Sequence, residues 1–297
     1  MSLPAATLQE LRRESITYST SSNGCRIVWQ QWPAITETGL PPLILLHGGF
    51  GSWTHWVRNI ASLRQTRTLW TCDLPGLGDS GDVPVSASTE LFAQRIMSGV
   101  DTLLGERQVF QLAGCSFGAM VAARMAAQAG SCCSRLILIG AAGCGDLHVQ
   151  VPLLPPPVAG CPETEAEAIT RENLARLMLY RPKCIDDLAV YVHADNLVRQ
   201  RFNSRRLSRS DDLLLALPSV KASLVGIWGA QDATAGGSDA IARREALFRK
   251  FQPDCEFHVL DEVGHWAMYE SAEQVNRILD DRQGVQPQSG SDFDHCT

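Results

Sequence analysis

Gly114-Cys115-Ser116-Phe117-Gly118 sets one serine hydroxyl between two glycines. The motif falls where an expected strand, 109–115, meets an expected Ala-rich helix, 117–129. So tight a strand–turn–helix junction needs small flanking residues, and it lifts the serine hydroxyl off the sheet edge. It also points a helix N-terminus at that hydroxyl, where partial positive charge stabilises an anion. The chemistry on offer is nucleophilic attack by Ser116. The motif alone is weak, because roughly one chain of this composition in eight carries GxSxG by chance. Its setting is what strengthens it.

Three further segments supply what a serine nucleophile needs. His47-Gly48-Gly49-Phe50-Gly51-Ser52 follows the apolar run Leu43–Leu46. An oxyanion hole needs two converging backbone N–H groups with no side chain in the way. Gly49 and Phe117, the residue after the serine, are the expected donors, and His47 is expected to brace the loop. Val263-Gly264-His265-Trp266 lies between the last expected strand and the last helix, where a general base can reach over the nucleophile. Trp228-Gly229-Ala230-Gln231-Asp232 follows another expected strand, and a carboxylate there can orient the imidazole. Asp232 is preferred over two rivals. Asp195 sits in a helical block, and Asp261 ends the last strand only four positions before His265. The order Ser116, Asp232, His265 is nucleophile, acid, base.

These residues need strand ends to hold them, and the 297-residue chain provides the alternation. Ser22-Asn23-Gly24 separates two short strands and signals a hairpin. Leu43–Leu46, 68–72, 109–115 and 135–139 read as strands, with helices expected over 53–63, 89–104 and 117–129. Then 144–162, rich in Gly and Pro, opens a helical stretch over 163–180, 185–201 and 211–217. Strand and helix resume over 223–228, 238–251, 256–260 and 267–281. The pattern predicts an α/β fold with a mostly parallel sheet and helices on both faces. The core is expected over 1–144 and 218–283, with a helical cap inserted at 145–217. A disordered tail is expected over 284–297.

The net charge of −6 gives nucleic acid no basic surface, and no run approaches the length of a membrane span. The N-terminal stretch lacks a basic region followed by an apolar one, so no signal peptide is expected. Ten cysteines contain no CxxC pair. They read as reduced thiols of a cytoplasmic protein, with no metal and no cofactor expected. The partner expected is a small-molecule substrate, and a homodimer is allowed.

Taken together, the chain resembles an α/β-hydrolase with a helical cap between strands six and seven. The likeness covers nearly all of 15–282 and rests on HGGFGSWTHW, DLPGLGDS at 73–80, GCSFG, WGAQD and GHWAMYE. Asp73 and Asp79, in the family's recurring structural loop, receive no catalytic role. Within the family, GHW followed by a Glu resembles hydrolases of the meta-cleavage products of aromatic degradation, and the helical cap is similar to theirs. Many of those carbon–carbon hydrolases carry Asn before the nucleophile, where this chain has Cys115.

The implied activity is hydrolysis of a small to medium apolar ester through an acyl-enzyme. The alternatives are carbon–carbon cleavage of a vinylogous keto acid and a non-catalytic ligand-binding scaffold. Phe50 and Trp266 are expected to wall the substrate pocket, and Trp53 and Trp56 to be core. Cys115 reads as a buried small residue. His55, His148, His193 and His258 read as surface or core histidines. Arg199, Arg201, Arg205, Arg206 and Arg209 form a basic run near the end of the cap. It is either a solvated surface or the source of one Arg that pairs with a substrate carboxylate.

Overall fold

The computed structural model describes residues 2–280 apart from residue 159. Helix α1 (Leu3–Arg13) leads into a hairpin of β1 (Ile16–Ser22) and β2 (Cys25–Trp32). Asn23 and Gly24 between them have φ of 49° and 75°. Both values lie in the left-handed region that a type I′ turn requires, which is why Asn-Gly serves there. Then come β3 (Leu43–Leu46), α2 (Ile60–Leu63), β4 (Leu69–Cys72), α3 (Thr89–Leu104), β5 (Phe110–Cys115), α4 (Phe117–Ala129) and β6 (Cys133–Ile139). The insertion carries α5 (Glu163–Leu177), α6 (Asp187–Val198), α7 (Arg205–Ser208) and α8 (Asp212–Ala216). Last are β7 (Ser223–Gly229), α9 (Ser238–Phe251), β8 (Glu256–Leu260), α10 (Ala267–Glu270) and α11 (Ala272–Leu279).

The eight strands form one sheet in the order β1-β2-β4-β3-β5-β6-β7-β8. β2 pairs antiparallel with β1 and β4, and every other pairing is parallel. All four residues of β3 are fully buried, as a strand covered on both faces must be. Successive side chains alternate between two cores. Ile44, Leu46, Leu112 and Leu138 pack with α3 and α4. Leu43, Leu45, Ala113, Ile137 and Ile139 pack with Trp53, Trp56, α2 and α11.

The single helix expected over 53–63 is instead a 3₁₀ turn, Trp53–Trp56, followed by α2. Tertiary bonds decide this: Asp73 Oδ1 accepts Trp53 N–H at 2.9 Å, and Ser52 Oγ accepts Thr54 N–H at 3.3 Å. The insertion is helical, but its helices are shorter than the pattern predicts. α5 stops at Leu177 because the next backbone groups bond elsewhere. Met178 C=O accepts Trp266 N–H, and Tyr180 and Arg181 N–H donate to Glu270. Beyond α6, Arg201 and Phe202 N–H both donate to Gly76 C=O, at 2.9 and 3.0 Å.

The insertion joins both cores. Leu174, Met178, Ala189 and Val192 from α5, α6 and the residue after α5 belong to the core of Trp53 and Trp266. Phe202, Leu207 and Leu213 belong to the core of Phe117. The insertion therefore spans the ends of the strands that carry the motif loops. No described helix is long and apolar enough to cross a membrane. The tail expected over 284–297 lies outside the described residues.

Phe202 packs 5.0 Å from Phe92 and 6.2 Å from Phe117, centroid to centroid. Phe202→Ala should cost about 3 kcal/mol in urea unfolding. Leu215→Ala, at a 65% exposed position, should change stability by less than about 0.5 kcal/mol. Similar losses in the two variants would refute this account of how the insertion is anchored.

Candidate active site

The Ser116 turn is strained and tightly held. Ser116 has φ 52° and ψ −114°, costing roughly 1–3 kcal/mol for a residue with a side chain. Its N–H donates to Ile139 C=O at 2.9 Å, and its C=O accepts from Ala119 N–H at 3.1 Å and Ala142 N–H at 3.3 Å. A Cβ on Gly114 would stand 2.7 Å from Ala119 Cα, and one on Gly118 2.7 Å from Leu46 C=O. Both glycines are needed because α4 lies directly against β5 and β3.

The loop after β3 meets this turn. A Cβ on Gly48 would stand 3.3 Å from Ser116 Cβ. His47 Nδ1–H donates to Gly48 C=O at 2.8 Å, and Nε2 accepts Leu74 N–H at 2.9 Å. Burial pushes the His47 pKa down to about 4, so the ring is neutral and braces the loop. Phe50, with φ 57°, turns the chain beside Gly49.

Asp232 and His265 come together across β7 and β8. His265 Nδ1 lies 2.8 Å from Asp232 Oδ2, and both residues are buried. Asp232 Oδ1 accepts Thr234 N–H at 2.8 Å and Thr234 Oγ–H at 2.7 Å. Burial pushes the Asp232 pKa up, but His265 and the Thr234 donors outweigh it and hold the carboxyl below its ordinary value. Asp195 pairs with Arg199 instead, and Asp261 is exposed.

Sequence reading missed Glu270. Its side chain is fully buried. Oε2 accepts Gly264 N–H at 2.6 Å and Tyr180 N–H at 3.1 Å, while Oε1 accepts Arg181 N–H at 2.6 Å. One carboxylate thus fastens the His265 loop to the end of α5. Gly264 is a glycine because a Cβ there would stand 2.9 Å from both Met178 C=O and Tyr180 N. The signal available was the Glu in GHWAMYE, but the partners it holds in the insertion, Tyr180 and Arg181, are about 90 residues away in the chain.

A cavity of about 330 Å³ lies over these groups. Gly48, Gly49, Phe50, Ser116, Thr234 and His265 line it from the core. The insertion contributes Leu177, Met178 and Ser204, and three arginines of the basic run, Arg205, Arg206 and Arg209. Arg205 lies over the Phe50 ring at 5.3 Å, and Arg206 donates to Ala87 C=O. None of the three pairs with a described carboxylate. Arg199 and Arg201 do, with Asp79, Asp195 and Asp82, and they do not line the cavity.

Two expectations change here. Trp266, expected as a pocket wall, is fully buried away from the cavity. It stacks on Tyr269 at 4.2 Å, and its Nε1–H donates to His55 C=O at 2.9 Å. His148, expected as an ordinary surface or core histidine, lines the cavity, and His55, buried as a core histidine, touches it as well. The single-residue signal was silent because each depends on a loop path that only the fold sets. Cys115 also lines the cavity, but burial drives its thiol pKa far up, so it is not a reactive thiolate.

Comparison with known proteins identifies the family. The profile of the Alpha/beta hydrolase family matches residues 43–278, and the chain belongs to that family. A 2-hydroxy-6-oxononadienedioate/2-hydroxy-6-oxononatrienedioate hydrolase of Paraburkholderia phymatum is 28% identical over 267 residues, covering 84% of this chain and 89% of that one. A 2-hydroxy-6-oxo-6-phenylhexa-2,4-dienoate hydrolase of Comamonas testosteroni is 25% identical over 257 residues, covering 80% and 86%. Among solved structures, a meta-cleavage product hydrolase from Pseudomonas fluorescens superposes with a TM-score of 0.68 at 18% identity, covering 88% and 95%. A thermophilic esterase from Thermogutta terrifontis gives 0.65 at 19%, covering 89% and 96%. The protein is an α/β-hydrolase whose relatives include 2-hydroxy-6-oxo dienoate and dienedioate hydrolases, with an esterase among its structural neighbours.

The buried histidines make stability depend on pH. His193 is buried with Nδ1 unpartnered, and burial pushes its pKa down to about 4, as it does for His47. In the unfolded chain both titrate near 6.5, so between pH 6.5 and 4 the unfolded state binds more protons. Stability is full above pH 6.5 and falls toward pH 4, by roughly 2 kcal/mol per histidine at pH 5. His193→Leu should flatten the decline in urea-unfolding free energy between pH 7 and 5. An unchanged slope would show that His193 does not titrate in this way.

Proposed function

We propose that the protein is a serine hydrolase with Ser116 as nucleophile, His265 as general base and Asp232 as the orienting acid. The observation that carries this reading is the Asp232–His265 bond at 2.8 Å, beside the cavity that His265 and the strained Ser116 turn both line. Ser116 Oγ attacks the substrate carbonyl carbon, and its proton passes to His265. Asp232 stabilises the imidazolium, and the N–H groups of Gly49 and Phe117 receive the oxyanion. His265 then protonates the leaving group. Water, deprotonated by His265, then attacks the acyl carbon, and His265 returns that proton to Ser116 Oγ as the Oγ–acyl bond breaks. This sequence calls on no cofactor. The insertion acts as a cap whose inner face selects the substrate.

The first substrate class is a small to medium carboxylic ester, with Phe50, Leu177 and Met178 contacting its apolar part. Arg205, Arg206 and Arg209 favour a second reading, in which the substrate bears a carboxylate. The relatives' dienoate and dienedioate substrates are keto acids of that kind, so carbon–carbon cleavage of a vinylogous keto acid stands beside ester hydrolysis. There the leaving group is a stabilised carbanion rather than an alkoxide.

A fluorophosphonate probe should label the wild-type protein, and Ser116→Ala should abolish labelling. His265→Ala and Asp232→Asn should each lower kcat by about 10³–10⁴-fold, and combining them should add little, because the residues act as a unit. Labelling that survives Ser116→Ala, or no labelling of the wild type, would favour the non-catalytic scaffold.

Arg209→Ala should raise KM about tenfold for p-nitrophenyl hemisuccinate, the loss of one partly exposed charge-assisted bond, and leave p-nitrophenyl butyrate within twofold. Equal shifts for the two esters would make the basic run a solvated surface and leave the neutral ester as the substrate.

A further inference from the structure

Ser204, carried by the insertion, stands against the loop that holds Gly49. The residue is 4% exposed and lines the cavity. Its Oγ occupies the space that a Cβ on Gly49 would take. That contact gives a physical reason for glycine at 49: any side chain would evict the hydroxyl. Ser204 also occupies the N-cap position of α7, where a serine hydroxyl ordinarily accepts a backbone N–H of the first turn. Here it makes no such bond. The backbone C=O of Ser204 accepts Leu207 and Ser208 N–H, both at 3.0 Å, and the hydroxyl makes no hydrogen bond to any described residue. Ser204 lines the cavity, where a ligand or water can supply the partner that the protein does not.

The position is fixed from both sides. Phe202, two residues before, packs against Phe92 and Phe117, and its N–H is held by Gly76 C=O. Leu207, three residues after, is buried in the same core. A hydroxyl on so firm a mount is preorganised rather than recruited, which is the property that makes a transition-state donor effective.

We propose that the Ser204 hydroxyl is a third donor to the oxyanion, completing from the insertion the pair of N–H groups offered by Gly49 and Phe117. The proposal rests on Ser116 being the nucleophile. When Ser116 Oγ adds to the carbonyl carbon, the C=O π pair moves onto oxygen, and Ser204 O–H donates to that oxygen without transferring its proton. The oxyanion site is then whole only with the insertion seated on the core, so substrate capture and transition-state stabilisation share one element.

Ser204→Ala removes only a hydroxyl that has no protein partner, so the variant should fold. With p-nitrophenyl butyrate, kcat should fall about 10–100-fold while KM stays within twofold. The Ki of a tetrahedral mimic, butylboronic acid, should rise by the same factor, and the Kd of planar butyrate should not change. Were Ser204→Ala to unfold, Ser204→Cys, isosteric but a far weaker donor, should give the same pattern. Unchanged kcat and boronate affinity would overturn the proposal. So would boronate and butyrate weakening together, which indicates general damage to the pocket. If wild-type protein neither reacts with a fluorophosphonate nor binds the boronate, the Ser116 reading itself has failed. If it does both and only the Ser204 variants behave as wild type, the third donor alone is rejected.

Discussion

Helix α4 lies so close to β5 and β3 that no side chain fits at positions 114 and 118. The chain must therefore leave β5 and enter α4 within one residue. That residue, Ser116, is forced to positive φ. The strain is tolerable because the bonds to Ile139, Ala119 and Ala142 fix the turn, and because the surrounding core is fully buried. Everything else in the site is placed relative to this turn. The His47 loop comes close to it at Gly48, the β6 end receives its N–H, and α4 begins at the next residue.

The electrostatics follow from burial. Asp73 shows it in a structural role: burial pushes its pKa up to about 6, against donors from Asp79 and Trp53 N–H that favour the charged form. Asp232 is equally enclosed, yet His265 and the two Thr234 donors tip the balance the other way and keep it ionised. The same low-dielectric surroundings keep His47 and His193 neutral and silence the Cys115 thiol. The cations beside the cavity sit in contact with water, where charge is cheap to hold.

The insertion is bolted to the core at two separate places. At one, Glu270 and the Trp266–Met178 backbone bond join the His265 loop to the end of α5. At the other, Gly76 C=O and the Phe92–Phe117 pair hold the approach to α7. Each bolt lies beside a different functional group, the first by His265 and the second by Gly49. The cavity between them is therefore shaped by contacts that bridge sequence separations of roughly 90 to 130 residues.

The fold was legible in the sequence because its signals are local. Continuous apolar runs such as Leu43–Leu46 mark strands covered on both faces, Asn23-Gly24 marks its turn, and a break in alternation marks the insertion. The positions of Ser116, Asp232 and His265 were legible for the same reason: each lies in the connection that follows a strand, just beyond the ends of β5, β7 and β8. What tertiary structure alone decided is which side chains meet across chain distance. Trp266 neighbours His265 in sequence yet turns into the core, because its indole N–H finds His55 C=O there. Arg199 and Arg201 lie in the same basic run as Arg209, yet Asp79, Asp195 and Asp82 claim them. The local sequence around Glu270 and Ser204 does not say which groups they meet. Hydropathy and turn chemistry act over a few residues, whereas the partner of a buried polar group is chosen by the packing of the whole chain.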